Sequence, residues 1–158
     1  SYVAHIILLD QFSRHIYRGT GDSFKNDNGC MIFVEMGWKM YCNQLKGYEF
    51  MFAFMPYMHT EIKEYSRRGK MLFFEHKSNC ESKVRRLSST ITEISVDELR
   101  NVKKEMEMYE SMQPHVHGHF QTLQQYGRFP KRNEALGRKS TKQEIFYMEQ
   151  QEVKNRPY

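Results

Sequence analysis

Apolar residues along this chain recur at three- and four-residue spacing, and alternation is short everywhere, which confines the fold to packed helices. No Asn-Gly or Asp-Gly turn lies between β-rich runs, so no strand pair is expected. Val3, Ile6, Ile7, Leu9, Phe12, Ile16 and Tyr17 predict a helix over 2–17, stopped by Gly19 and Gly21. Asn26 or Asp27 caps a second helix, with Met31, Phe33, Val34, Trp38 and Tyr41 on its buried side. After Gly47 a short apolar helix runs from Glu49 to Met55. Pro56 bends or ends it and leaves Tyr57 to Glu61 as a turn. Thr60 caps a further helix reaching about Lys77, with Ile62, Tyr65, Met71, Leu72 and Phe73 towards the core. The serine-rich stretch 79–94 has weak periodicity and reads as a flexible insertion.

Ser95-Val96-Asp97-Glu98 is a capping-box pattern opening a charged helix through Met112. Pro114 opens another helix that ends at Tyr126-Gly127, and Thr141-Lys142-Gln143-Glu144 opens the last. The sum is an all-α domain over 1–158, with about six or seven antiparallel helices packed as hairpins.

Charge and cysteine usage narrow the partners and the compartment. The net charge is +5 over 158 residues, basic without being extreme. The densest basic stretch is Arg128 to Lys142, where Arg128, Lys131, Arg132, Arg138, Lys139 and Lys142 face the single acid Glu134. Arg14, His15 and Arg18 form a smaller cluster. The 3 cysteines, Cys30, Cys42 and Cys80, are odd in number, widely spaced and lack a CxxC pair, which argues against a disulfide framework and a zinc knuckle. Reduced thiols point to a cytosolic or nuclear compartment, and the cytoplasm is the expected location. No apolar run approaches the roughly 20 residues of a membrane span, and no secretory signal is visible.

Tyr126-Gly127-Arg128-Phe129-Pro130-Lys131-Arg132-Asn133 packs cations and aromatics around a glycine that can end a helix and a proline that cannot continue one. Together with Leu8-Leu9-Asp10-Gln11-Phe12-Ser13-Arg14-His15-Ile16-Tyr17-Arg18-Gly19-Thr20, Met55-Pro56-Tyr57-Met58-His59-Thr60-Glu61 and Leu136-Gly137-Arg138-Lys139-Ser140-Thr141, it resembles the family known as domain of unknown function 924. The family's pattern is roughly LLDQFPRNxxRGT, LPxxHSE and FGRFPHRNxxLGRxST, and the likeness extends over about 2–148 outside the polar stretch between 79 and 112. It implies an all-α fold like tetratricopeptide repeats, with helical hairpins stacked into a shallow superhelix. It implies no established activity. Ser13 stands where the family usually has proline, His15 where it has asparagine and Lys131 where it has histidine. His119 matches a family histidine seven residues before Tyr126. The family also carries a helical segment ahead of the Asp10-Gln11-Phe12 motif. A chain that starts at Ser1, inside an apolar segment, is therefore expected to be a fragment, a processed chain or an incomplete gene product.

Four groups of residues carry candidate chemistry. Asp10, Arg14 and Arg18 at i, i+4, i+8 form either an ion-pair ladder or an anion clamp in which Asp10 orients an arginine. In His59-Thr60-Glu61, helix capping accounts for Thr60 and Glu61, and His59 is left over as a buried or site histidine. His115 and His119 share a helix face but lack a third ligand, so no metal is expected. Arg128 and Arg132 pair with buried acids such as Asp10 or Glu61, or with a ligand anion, and Asn133 lies beside them. The first reading is a helical-repeat binding module whose groove, lined by Arg14, Arg18, Arg128, Arg132 and Asn133, takes a peptide carboxylate, a phosphate or an acidic peptide. The alternative is an enzyme using Asp10, His59, Glu61 and His119. Nucleic-acid binding ranks third, since Tyr126 and Phe129 are expected to pack under the turn rather than stack on bases. No cofactor is called for.

Overall fold

A computed structural model describes residues 1–89 and 96–154. Among these the chain is all-α, as the apolar spacing predicts. Helix α1 (Tyr2–Ile6) runs through a π-helical stretch, Ile7–Phe12, into α2 (Ser13–Ile16). A 3-10 turn, Gly21–Phe24, leads to α3 (Asp27–Tyr41), followed by α4 (Tyr48–His59), α5 (Lys63–Ser89) and α6 (Val96–Tyr126). A second 3-10 turn, Pro130–Arg132, precedes α7 (Lys142–Lys154).

From α3 to α6, consecutive helices pack antiparallel. Phe50 lies tilted against His76 and Phe54 meets Phe73 between α4 and α5. Phe73 meets Tyr109, and Cys80 Sγ reaches the Val102 carbonyl, between α5 and α6. Trp38 of α3 lies against Phe50 and Tyr57 of α4. These rings fill the core with Ile6, Met31, Val34 and Met112.

Three boundaries differ from the sequence reading. The flexible insertion expected from Asn79 is helical as far as Ser89, while 90–94 and the Ser95 cap lie outside the described residues. Cys80 is buried and Val84 and Leu87 are half-buried against the core, a stripe at helical spacing among the serines. Pro114 sits inside α6 rather than opening a helix. It is exposed, so the carbonyl its ring leaves unpaired can reach water, and buried Met112 and Val116 hold the helix on either side. Pro56 likewise does not end α4, because Tyr57 and Met58 remain helical and buried.

Candidate functional site

Asp10 lies in the π-helical stretch, and only 1% of it is exposed. Its Oδ1 accepts from Arg14 Nε and Nη2, each at 3.1 Å. His59 Nδ1, at the end of α4, faces Oδ1 at 2.7 Å and Oδ2 at 2.9 Å. Gln11 Nε2 donates to Oδ2. Burial alone would push the Asp10 carboxyl up, but the bonds from His59 and Arg14 outweigh it and hold the carboxyl below its ordinary value.

Arg14 Nη2 also reaches Asp27 Oδ1 at 2.7 Å, and Arg132 Nη1 donates to Asp27 Oδ2 at 2.8 Å. Arg132 Nη2 closes the circuit on the His59 carbonyl at 2.6 Å. Two aspartates and two arginines thus form a charge-balanced ring that joins α1/α2, α3, α4 and the Pro130–Arg132 turn. The rings of Phe24 and Phe129, 4.4 and 4.8 Å from the Arg132 guanidinium, flank it.

The ring opens into a cleft of about 600 Å³ between α6 and the Pro130–Arg132 turn. Arg14, His59, His115, His119, Lys131, Arg132 and Tyr147 are its titratable lining residues, and no carboxylate is among the described lining residues. His119 lies 6.0 Å from the His59 ring and 5.4 Å from Phe129, centroid to centroid. Burial, then the neighbouring His59 and Arg132, push its pKa down to about 4, so it is a neutral wall at physiological pH.

The other expected site residues lie elsewhere. Glu61 accepts from the Phe129 N–H at 2.7 Å and from both terminal nitrogens of Arg138, at 2.7 and 3.0 Å. Burial opposes ionisation of Glu61, yet these donors hold its carboxyl below the ordinary range. Arg128 is bidentate on Glu144, at 2.6 and 2.8 Å, and pins α7. Asn133 is buried and donates to Ser140 Oγ. Arg18 leaves the Asp10–Arg14 stripe because the helix ends at Ile16, and its side chain is exposed beside His15.

Arg128 and Arg132 therefore do pair with acids, but with the buried Glu144 and the half-buried Asp27 in place of Asp10 and Glu61. Asp27 had the sequence signal of a helix cap, yet Asn26 and Asp27 make no capping bond and the carboxylate bridges two arginines. Lys131 and His115 join the lining although neither stood among the expected ligand residues.

A family model described as "Bacterial protein of unknown function (DUF924)" matches residues 1–152. The chain belongs to that family. A solved structure of a protein of unknown function from Agrobacterium tumefaciens is similar at 23% identity and a TM-score of 0.64, covering 94% of this chain and 67% of the other. At that identity the likeness concerns the fold. No curated protein matches the chain. The three sequence segments that carry the DUF924 resemblance are the ones that meet here: Asp10 and Arg14 come from the first, His59 from the second, and Phe129, Lys131 and Arg132 from the third.

Proposed function

We propose that the cleft binds a small organic anion, a carboxylate or a phosphate, on the face formed by Arg14, Lys131 and Arg132. The observation that carries this reading is the lining: three cations and three histidines, with no carboxylate among the described lining residues. Asp10 and Asp27 neutralise the two arginines from behind, so the positive charge offered to a ligand is that of Lys131 together with the Arg14 edge bearing Nη1. Nη1 makes no hydrogen bond among the described residues. Gln121, Gln125 and Gln151 add amide donors and acceptors suited to a peptide or a similarly polar body. On this reading the antiparallel helices form a shallow tetratricopeptide-like stack, working in the cytoplasm, whose concave side holds the ligand.

Binding of inorganic phosphate, nucleotides and acidic peptides at low and moderate salt tests it. Lys131→Ala is expected to weaken binding by about fivefold without unfolding the chain, as suits one exposed charge. Absence of saturable binding to all three classes would sink the reading.

A second reading, an acid–base enzyme, is favoured by the Asp10–His59 pair. A carboxylate bound to Nδ1 fixes the tautomer of a histidine and leaves Nε2 able to take a proton. Turnover of a bound anion that His59→Gln abolishes, while binding persists, would decide for it. Nucleic-acid binding loses support, since Arg128, Arg132 and Arg138 of the densest basic stretch are each engaged by a carboxylate.

A further inference from the structure

We infer that His59 is the proton-carrying contact of the bound anion, so that the cleft takes up one proton with each anion it binds wherever the free ring is neutral. This rests on the anion reading above and assigns the site a ligand-selecting protonation state.

Nδ1 of His59 faces both oxygens of Asp10, and an ionised carboxylate only accepts, so Nδ1 carries hydrogen in either charge state of the ring. The ring lines the cleft, and its second nitrogen, Nε2, makes no hydrogen bond among the described residues. Neutral His59 therefore presents a lone pair there, which repels an anion. Protonated His59 presents an N–H donor backed by Asp10. Arg14 shares Asp10 Oδ1 with His59, which sets the guanidinium and the imidazole side by side on one carboxylate oxygen. An anion held by Arg14 and Lys131 thus meets His59 as well, and favours the form with the proton.

The charged and titratable neighbours are accounted for on every side. Asp10 and Arg14 face His59 from α1/α2, with Asp27 of α3 behind them. The Pro130–Arg132 turn contributes Lys131 and Arg132, whose Nη2 bonds the His59 carbonyl. From α6 come His119 and His115, and from α7 comes Tyr147. On α4's own extension, Glu61 is engaged by Arg138. His119 is not the proton carrier, being held neutral by its burial. His115 is exposed on the cleft's wall and is the competing carrier.

Sulfate is the direct probe, because its own charge is fixed between about pH 5.5 and pH 8, where an imidazole titrates. Calorimetric titration with sulfate at the alkaline end of that range, in paired buffers of different ionisation enthalpy, is expected to show uptake approaching one proton. Affinity is expected to fall about tenfold per pH unit on the alkaline side of the histidine's titration. His115→Gln keeps that slope and His59→Gln removes it. Because His59→Gln also disturbs Asp10, the unaltered protein supplies a second measurement: 15N shifts of the His59 ring should show sulfate extending the protonated form to higher pH. Sulfate binding with pH-independent affinity, or a slope lost in His115→Gln and kept in His59→Gln, overturns the inference and leaves the cleft reading standing. No binding of sulfate, phosphate or an acidic peptide at any pH overturns both.

Discussion

Arg132 shows how far a side chain's surroundings can depart from what its neighbours in sequence suggest. It sits in a charged turn, yet only 8% of it is exposed, and it is clamped between aromatic rings and the Asp27 carboxylate. Removing that carboxylate strands a buried cation, whose desolvation is no longer offset. Asp27→Asn is expected to cost about 3 kcal/mol, read as a lower urea midpoint with Trp38 fluorescence as the probe of the core. A loss near zero would mean that the ring is solvated. His119 gives a second test at this scale. Its ordinary value is 6.5 and its folded value about 4, so as pH falls between them the unfolded chain takes up a proton that the folded one refuses. Its contribution is full above pH 6.5 and disappears by about pH 4, amounting to roughly 2–3 kcal/mol. His119→Gln should flatten the stability profile over that window, and NMR titration should find the His119 ring neutral at pH 5.5. A ring that titrates near 6.5 would remove the argument that His119 is a neutral wall.

Helix positions were legible where local chemistry decides them, and less so where packing decides. Gly127, at φ +70°, closes α6 with its N–H on the Leu123 carbonyl, and the Thr141–Glu144 capping box forms as its residue types dictate. The α5 stripe of Cys80, Val84 and Leu87 was hidden among serines, because one cysteine and two aliphatics make a weak periodic signal until α6 covers them. Gly69 of α5 is set by packing alone. A Cβ there would meet Tyr57 Cβ at 2.3 Å, and neither atom can swing away, since both are fixed to their backbones. Gly69→Ala should therefore destabilise by about 2 kcal/mol or more despite its better helix propensity. Gly118→Ala, on α6 with nothing within 4 Å, should stabilise by about 0.5–1 kcal/mol. Thermal unfolding of the pair separates the two effects. Equal behaviour would mean that α4 and α5 do not approach as closely as Gly69 permits.

Across the whole molecule, the contacts that close the fold join residues far apart in sequence. Arg132 reaches Asp27 over 105 positions, Arg138 reaches Glu61 over 77, and the Phe129 N–H reaches Glu61 over 68. The sequence showed the residue types and their grouping into three segments. Which acid meets which arginine depends on how the helices between them stack, so partners could not be read from spacing. This arrangement makes the fold sensitive to acid in a defined order. Asp10 and Glu61 are both held below their ordinary values of 3.8 and 4.5, so their stabilisation is complete above those values and is lost as pH falls through the folded ones. The His119 loss precedes this, above about pH 4. Glu61→Gln isolates one part of the lower step. It keeps the shape but loses the charge that Arg138 and the Phe129 N–H engage. At neutral pH it should cost about 1–2 kcal/mol, a modest figure because the pair is partly exposed and screened. As pH drops below 4.5 and through the lower folded value, the parent's own Glu61 becomes protonated, and the two proteins should converge in stability. Urea midpoints of both proteins between pH 7 and pH 3 measure that convergence. A gap that stays constant with pH would show that Glu61 ionises in the folded chain as it does in the unfolded one, and that the clasp between α4 and the C-terminal turn is held by shape rather than charge.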